Sequence, residues 1–264
     1  MQYVPAPNLS KHIKHYLLFE ISNSERKRYR HFSNGHDGLV FTLKKNEFVL
    51  LNTKSILPET FVLGQISENQ DFQINGTTAI AIVLFQPFGF FGLTGIHSSK
   101  YINDFEDSYL IFGKEILELK ERLQLSSSSR EVINYFNSFF TKKLNETNYV
   151  LNPCLMNTLK LAHKKRGDIS VNELCTQIGV KERKLQRLFS EQIGVSPKKY
   201  VRNIKLHSFL GLLRNESHSS LTELSLEAGY YDQAHLIKEF KKTIGFNPST
   251  YLKTQRLAVN LIEF

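Results

Sequence analysis

The spacing of apolar positions changes along the chain, and this change predicts two differently built parts. Before residue 100, short apolar runs bounded by Gly, Asn, Asp or Pro predict β-strands. These runs are GLVFTL from residue 38, FVLL from 48, TFVLGQI from 60, DFQI from 71 and TAIAIVLF from 78. Asn75–Gly76 separates the last two runs and predicts a tight hairpin between them, because both residues tolerate positive φ.

Helical spacing precedes and follows these runs. Residues 8–20 predict a short helix, and residues 104–124 and 129–145 predict two longer ones. Ser128 and Glu131 have the spacing of a capping box for the last helix. The segment FQPFGFFGLTG, residues 85–95, predicts a loop. Its phenylalanines could line an apolar ligand pocket or belong to the core, and the core is the favoured interpretation. We therefore expect a small β-barrel or sandwich with flanking helices.

Beyond residue 150 the apolar spacing is helical and the sequence repeats itself. Four residues, Phe189, Gly194, Pro197 and Tyr200, recur 51 positions later as Phe240, Gly245, Pro248 and Tyr251. Upstream, Ser170, Glu173, Leu174 and Gly179 recur 50 positions later as Ser220, Glu223, Leu224 and Gly229. Each unit combines a capping box, a short helix ended by glycine and a second helix, at about 181–192 or 232–244. Two helix-turn-helix units are therefore predicted.

Three further helices, the last of which begins at Pro248, complete an all-α domain of seven helices. One helix, at 153–165, precedes the repeat, and a long one, at 196–214, joins the two units. Ser196 and Asn247 stand directly before Pro197 and Pro248, which is typical of a helix start. The whole chain is thus expected to be α+β, with domains at 1–148 and 153–256.

Positive charge is concentrated in the helical part. Residues 151–264 carry 18 Lys and Arg against 10 Asp and Glu, whereas residues 1–150 carry 16 against 15. The helical part therefore contributes +8 of the total net charge of +9. A basic block suits either a polyanionic partner or a solvated surface, and its coincidence with two helix-turn-helix units favours DNA.

Several function classes lack their signals in this sequence. No apolar run reaches the ~18 residues of a membrane span, and the N-terminal segment lacks the apolar core of a signal peptide, so we expect a cytoplasmic protein. The two cysteines, Cys154 and Cys175, cannot supply a four-cysteine metal site. His31, His36 and Asp37 are the best metal candidates, and satisfied or exposed polar roles fit them better. The sequence contains no phosphate-binding loop and no nucleophile elbow, so we expect no enzyme, cofactor or metal.

The segment GYYDQAHLIKEFKKTIGFNPSTY, residues 229–251, and the repeated unit before it resemble the DNA-binding domain of AraC/XylS-type transcription regulators. The resemblance covers about residues 153–256 and implies a fold of seven helices with two recognition helices. Two positions depart from the family: Lys181 stands where a serine cap is usual, and Phe209 where the linker helix is usually small. The first part more weakly resembles the sensor-like domains fused to such regulators, and it implies no particular ligand.

A helical wheel separates the buried stripe of each recognition helix from the side that faces DNA. Arg and Gln form paired hydrogen bonds to guanine and adenine, whereas Ala and Ile recognise only the thymine methyl group. The first unit is therefore predicted to discriminate more between bases than the second. The expected base contacts, which in the first unit also match positions implied by the resemblance, are Glu182, Arg183, Gln186 and Arg187, then Gln233, Ala234, His235, Ile237 and Lys238.

Phosphate contacts are expected from basic side chains and from helix N-termini, and they position the protein without reading sequence. The candidates are Ser170, Ser196, Lys198, Lys199, Arg202, Lys205, Ser220, Lys241, Lys242 and Asn247. If both recognition helices enter successive major grooves on one face of DNA, they lie about 34 Å apart. One chain then reads an asymmetric site of two boxes.

The predicted function is that of a bacterial transcription regulator whose partner is double-stranded DNA. The first domain is expected to bind a small-molecule effector or to form a homodimer, and RNA polymerase is a further candidate partner. A dimer interface or, preferably, the domain's own core accounts for Leu110, Phe112, Ile116, Leu117, Leu119 and Leu123. The alternatives are an architectural DNA binder without a ligand and a DNA-directed enzyme that borrows the module. Alkyl-transfer proteins of the latter kind use a cysteine-rich metal site, which two cysteines cannot build.

Overall fold

The computed structural model describes residues 1–21, 26–44, 47–147, 149–214, 220–258 and 260–264. Its strands are β1 (Gln2–Tyr3), β2 (Ile13–Ile21), β3 (Arg26–His31), β4 (Gly38–Thr42), β5 (Phe48–Leu50), β6 (Ser55–Ile56), β7 (Thr60–Leu63), β8 (Gln70–Asn75), β9 (Thr78–Phe85), β10 (Phe105–Asp107), β11 (Gln255–Ala258) and β12 (Leu261–Glu263). Its helices are α1 (Gly89–Thr94), α2 (Tyr109–Phe112), α3 (Lys114–Leu125), α4 (Ser129–Glu146), α5 (Pro153–Lys164), α6 (Val171–Ile178), α7 (Glu182–Gln192), α8 (Pro197–Leu213), α9 (Leu221–Glu227), α10 (Gln233–Ile244) and α11 (Pro248–Leu252). Short 3₁₀ turns occur at Pro7–Leu9 and Ser98–Tyr101.

The strands form two antiparallel six-stranded sheets. The first has the order β1-β2-β9-β4-β7-β10 and the second the order β11-β12-β3-β8-β5-β6. Side chains from both sheets meet in one apolar cluster, whose buried members are Ile21, Tyr29, Val40, Phe48, Phe61, Ile74 and Ile80. The α+β class is confirmed, and of the two architectures expected for the first part, the described strands form a sandwich and no closed barrel.

The helix predicted over residues 8–20 is wrong. Most of this segment is strand β2, which pairs along its length with β9, from Ile13 opposite Phe85 to Ile21 opposite Thr78. Ile13 and Tyr16 are fully buried in the core of the domain. Pairing with a strand more than 50 residues away therefore outweighs the helical spacing of the apolar residues, which is local information only.

The hairpin predicted at Asn75–Gly76 is also wrong. Gly76 does adopt a positive φ of 84°, so the turn itself forms. The strands on either side of it belong to different sheets, however: β8 pairs with β3 and β5, and β9 with β2 and β4. A turn signal specifies a reversal of the chain but not which strand becomes the partner.

The predicted helix over residues 104–124 is interrupted. Its start is strand β10, and Gly113, with a φ of 64°, separates α2 from α3. The helix at 129–145 is confirmed as α4, with the Ser128 hydroxyl accepting a hydrogen bond from the Glu131 amide. Within FQPFGFFGLTG, residues Gly89–Thr94 form helix α1 rather than a loop. Its phenylalanines Phe90 and Phe91 are buried, as the favoured core interpretation expects.

Most of the apolar candidates in the 104–124 segment belong to the core. Buried positions are Phe112, Ile116, Leu119 and Leu123. Leu110 and Leu117 are exposed to 71% and 39%.

The described helices that follow residue 150 confirm the seven-helix domain. Asn152, Ser170, Ser196, Ser220, Asp232 and Asn247 each cap a helix through the side chain, whereas Lys181 makes no such hydrogen bond. Gly179 and Gly229 have φ values of 71° and 80°, as the turn between the two helices of each unit requires. The equivalent small residues Cys175 and Ser225 are both buried, so they allow neighbouring helices to approach closely.

The last strands of the chain, β11 and β12, were not predicted, and they extend the second sheet of the first part. Strand β12 pairs with β3 through Leu261 opposite His31, Ile262 opposite Arg30 and Glu263 opposite Tyr29. Ile262 and Phe32 are fully buried in the core of the second helix-turn-helix unit. The part of the chain before residue 150, which we call the sheet domain, and the helices after it, which we call the helical domain, therefore share part of their core.

Candidate nucleic-acid interface

Helix α7 presents one apolar and one polar face. Leu185 and Phe189 are fully buried and Leu188 is 5% exposed, so this side fixes the helix on the domain. The opposite side is exposed and carries Arg183, Gln186, Arg187 and Ser190. Long polar side chains that point away from the core suit contacts with the major groove of DNA.

One hydrogen bond orients a candidate base contact on α7. The Gln186 side-chain nitrogen donates to the Glu182 carboxylate over 2.8 Å, one helical turn away. The second hydrogen of this nitrogen and the Gln186 carbonyl oxygen remain available for a base edge. Glu182 is exposed at the first position of the helix, and its carboxylate therefore directs the Gln186 amide.

Helix α10 has a matching apolar side and a less polar outer side. Leu236, Phe240 and Ile244 are fully buried. On the outer side Ile237 is half-buried. The exposed residues there are Ala234, His235, Lys238, Lys241 and Lys242. The outer face of α10 thus carries lysines and small or apolar groups where α7 carries Arg and Gln.

The start of α10 is held by hydrogen bonds. The Asp232 carboxylate accepts from the His235 amide over 2.7 Å. The Thr222 hydroxyl donates to the Gln233 side-chain oxygen, also over 2.7 Å, so the amide nitrogen of Gln233 remains free to donate. The His235 ring contacts the Tyr230 ring edge to face, with centroids 5.6 Å apart. These contacts hold the first turn of the helix, in which Gln233 and His235 lie.

The basic side chains of the linker helix α8 differ in their availability. Lys198 is exposed and has no ion pair among the described residues. The Lys199 ammonium donates to the backbone carbonyl of Ile66 in the sheet domain over 2.9 Å. Arg202 forms an ion pair with Glu239 of α10, and Lys205 forms one with Asp168 over 3.0 Å. Three of the four predicted phosphate contacts on this helix thus already have partners within the chain.

The predicted helix N-termini form as capped ends. The Ser170 hydroxyl accepts from the Glu173 amide and the Glu173 carboxylate accepts from the Ser170 amide, which completes a capping box. At Ser196 and Ser220 the hydroxyl accepts from a backbone amide over 3.2 Å, and at Asn247 the side-chain oxygen does so over 2.8 Å. The three serine hydroxyls keep their own hydrogen, so each can still donate to a phosphate oxygen.

Tyr231 is an exposed residue at this surface that the sequence reasoning missed. Its side chain is 87% exposed directly before the Asp232 cap, at the mouth of the turn that leads into α10. The repeat places Val180 and Lys181 in the corresponding turn of the first unit, so the aromatic ring at this position is particular to the second unit.

The three metal candidates have separate roles. The His36 ring donates from Nδ1 to the Phe85 carbonyl over 2.8 Å and accepts from the Lys14 ammonium at Nε2 over 2.9 Å. His31 contacts Asn260, and Asp37 contacts Ser98. The described part of the chain contains no group of three His, Cys, Asp or Glu side chains that could hold a metal ion.

An apolar cavity of about 80 Å³ lies between the two sheets. Leu17, Val40, Phe61, Ile82 and Leu261 are among its lining residues, and no Asp, Glu, Lys or Arg is part of the described lining. The cavity opens toward a cleft between the sheets and α8, since the two share Phe19, His36 and Asn260. Lys14, His163, His207 and Arg214 line that cleft, where burial and the nearby Lys14 ammonium lower the pKa of His207 to about 4.

Among the described residues, no helix combines the length and the apolar character needed to span a bilayer.

Two family profiles match the chain. One is described as a Helix-turn-helix domain and matches residues 174–254, and the other, described as Domain of unknown function (DUF6597), matches residues 1–107. An HTH-type transcriptional regulator of Haemophilus influenzae is 30% identical over 104 residues, which are 39% of this chain and 35% of that protein. The XylDLEGF operon transcriptional activator 1 of Pseudomonas putida is 29% identical over 94 residues, 35% of this chain and 28% of that protein. This chain therefore spans about a third of the length of the curated relatives it matches.

Among solved structures, ToxT from Vibrio cholerae aligns with 90% of this chain and 97% of its own, at 12% identity and a TM-score of 0.49.

Proposed function

We propose that the protein is a sequence-specific DNA-binding transcription regulator whose C-terminal part is a double helix-turn-helix domain of the AraC/XylS type. The observation that carries the proposal is the repeated pair of helices α7 and α10. Each helix buries an apolar stripe and exposes a polar or basic face, within the part of the chain that holds a net charge of +8. Such a surface suits the major groove and the phosphates on either side of it.

The proposal divides the chain into an N-terminal domain at 1–148 and a DNA-binding domain at 153–256. Arg183, Gln186 and Arg187 of α7 would read bases through paired hydrogen bonds. In α10, Ala234 and Ile237 would add contacts to thymine methyl groups, and Lys238, Lys241 and Lys242 would hold the backbone. The first unit would then supply most of the sequence discrimination.

The N-terminal domain would adjust this activity by binding a small molecule. The support for this step is the apolar cavity, which lies between the two sheets and opens toward the cleft lined by residues of the helical domain. A ligand there would lie within the domain whose strands pair with β12, and β12 packs on the second helix-turn-helix unit. The protein would act in the cytoplasm and catalyse no reaction.

A homodimer and a contact with RNA polymerase are further parts of the proposal. Leu110 of α2 and Leu117 of α3 are exposed apolar side chains that a second copy could cover. Light scattering of the purified protein, with and without DNA, measures the number of chains per complex.

Selection of bound DNA tests the function directly. The purified full chain is mixed with sheared genomic DNA of its source bacterium and with random competitor DNA at near-physiological salt, and the retained fragments are sequenced. We expect a recurrent asymmetric motif of two boxes. Arg187→Ala should degrade one box, whereas Lys160→Ala, which removes the same charge from an exposed position of α5, should leave the motif unchanged. Retention without any motif would contradict a regulator and favour an architectural DNA binder.

A further inference from the structure

The last residue of the second recognition helix contacts the sheet domain through Arg30. Arg30 is on strand β3, and its Nη1 donates to the backbone carbonyl of Ile244 over 3.4 Å. Ile244 ends α10, and the last carbonyl groups of a helix have no partner within the helix and carry partial negative charge. A guanidinium at this position therefore satisfies one of these carbonyls and is attracted to the carboxyl end of α10.

Arg30 is itself held in one position by the neighbouring strand. It lies opposite Asp71 of β8, whose two carboxylate oxygens accept from Nε and Nη2, each over 2.7 Å. Such a bidentate pair fixes the plane of the guanidinium. Only 13% of the Arg30 side chain is exposed, so solvent and salt screen this pair little. The guanidinium is thus a fixed part of the sheet, and its third nitrogen, Nη1, is the one that reaches α10.

Two aromatic rings and a glycine complete the contact. The central carbon of the guanidinium lies 4.3 Å from the centre of the Phe246 ring and 4.9 Å from the centre of the Phe264 ring. Phe246 follows α10, Phe264 follows β12, and the two ring centroids are 5.5 Å apart. Between Ile244 and Phe246, Gly245 has a φ of 82°, and a side-chain carbon there would collide with the guanidinium. The chain at the end of α10 therefore fits closely against Arg30.

The first recognition helix ends on the sheet domain in an equivalent way. The Ser98 hydroxyl lies 3.3 Å from the carbonyl of Gln192, the last residue of α7. Gly194, the repeat equivalent of Gly245, approaches Ser98 so closely that a side-chain carbon there would lie 3.0 Å from the Ser98 carbonyl oxygen. Both recognition helices thus contact the sheet domain at their carboxyl ends, one at a hydroxyl and the other at a cation.

We propose that Arg30 is a positioning residue for DNA recognition: through Arg30 the sheet domain holds α10 in the orientation, relative to α7, in which both helices reach one DNA site. The proposal rests on the regulator function proposed above. The contact leaves the outer side of α10 free, since Lys238 and Lys241 are exposed. Without the contact the carboxyl end of α10 would have to be ordered when DNA binds, and that ordering lowers affinity.

Binding to two DNA fragments tests this role. One fragment carries both boxes of the selected site, and in the other the second box, which is the one that Arg187→Ala leaves protected, is scrambled. Arg30→Gln should weaken binding to the two-box fragment about tenfold, the effect of one hydrogen bond to a charged group, and leave binding to the single-box fragment unchanged. Arg28→Gln removes the same charge from an exposed residue of the same strand and should bind both fragments as the wild type does.

A double variant controls for misfolding. Arg30→Gln alone leaves the Asp71 carboxylate without this partner, whereas Arg30→Gln combined with Asp71→Asn removes both charges and should show the same selective loss. A chain that is merely less stable would lose affinity for both fragments alike, and that result overturns the proposal. Unchanged affinity of both variants for the two-box fragment also overturns it, and so does tighter binding, because the contact would then oppose recognition.

A distance measurement without DNA separates this proposal from the regulator function. Spin labels are attached to Lys184→Cys on α7 and Ala234→Cys on α10, in a full-length chain whose two native cysteines are replaced by serine. Pulsed electron paramagnetic resonance then gives the distribution of distances between the labels. We expect Arg30→Gln to broaden this distribution and Arg28→Gln to leave it as in the wild type. An unchanged distribution contradicts the positioning role, whereas a wild-type protein that selects no motif contradicts the regulator function alone.

Discussion

Replacing Asp37 with asparagine should make the protein less sensitive to alkaline pH. Asp37 is 1% exposed, and one of its carboxylate oxygens lies 3.3 Å from the Ser98 hydroxyl. The same hydroxyl lies 3.3 Å from the Gln192 carbonyl at the end of α7. Ser98 has a single proton for two acceptors, so all three groups are satisfied only if Asp37 is protonated and donates to Ser98.

The magnitude follows from the pKa of the Asp37 carboxyl. Burial raises this pKa from 3.8 to about 7, against a smaller opposing effect of the Ser98 and Gln65 side chains. Between these values the folded protein holds a proton that the unfolded chain has released, so the free energy of unfolding falls as pH rises and levels off above the folded pKa. A difference of about three pKa units corresponds to about 4 kcal/mol. The asparagine side chain of the variant has no charge to bury and can donate to Ser98 at every pH.

Urea denaturation of the full chain, followed by tyrosine fluorescence from about pH 4 to pH 9, measures the effect. Asp37→Asn should match the wild type near pH 4 and exceed its stability by up to about 4 kcal/mol above pH 7. The histidines titrate in both proteins and cancel in the difference. Asp104→Asn, at an exposed aspartate, is the control and should show no such trend. A difference that does not vary with pH, or that favours the wild type at high pH, would refute the reasoning.

Three further predictions concern the helical domain. On half-sites with altered base pairs, Arg187→Ala should lose about 1–3 kcal/mol of discrimination and Ile237→Ala clearly less, and equal losses would contradict the unequal roles of the two units. Lys198→Ala should reduce the slope of log affinity against log salt by about one, whereas Lys199→Ala should leave it unchanged because its ammonium is bound to the sheet domain. Ser170→Ala removes a helix cap and should lower the free energy of unfolding in urea by about 1 kcal/mol, a loss that Ser170→Asp should restore.

The helical domain was predicted well because its signals are local. Capping residues such as Ser170 and Asp232, the glycines of the two turns and the stripe of Leu185 and Phe189 all act within a few residues of their own helix. The repeat doubled each of these signals. Exposed positions of α7 and α10 then followed from helical geometry alone. Which of the exposed side chains contacts a base stays a prediction.

The sheet domain was predicted less well because strand partners are distant in sequence. The segment from Ile13 to Ile21 has helical spacing, yet its pairing with β9 decides the outcome. The signal at Asn75–Gly76 fixed a turn but not the sheets on either side. The same reason explains why the pairing of β12 with β3 and the contact between Asn260 and His31 were missed, since more than 200 residues separate the partners.

The basic residues of the linker helix α8 show a second limit of prediction from sequence. Arg202 and Lys205 have the composition of phosphate contacts, and the fold supplies Glu239 and Asp168 as partners. Sequence position gives the charge of a side chain but not the carboxylate that the tertiary structure brings next to it. Ion pairs at such an exposed surface are weak, so DNA can still compete for these two side chains.

Hydroxyl-radical footprinting on a selected DNA fragment tests most directly that both helix-turn-helix units read one site. We expect two protected patches on the same face of the duplex, about 10 base pairs apart, within an asymmetric sequence. Arg187→Ala should weaken one patch and preserve the other. A single protected patch, or protection spread evenly over the fragment, would contradict the account.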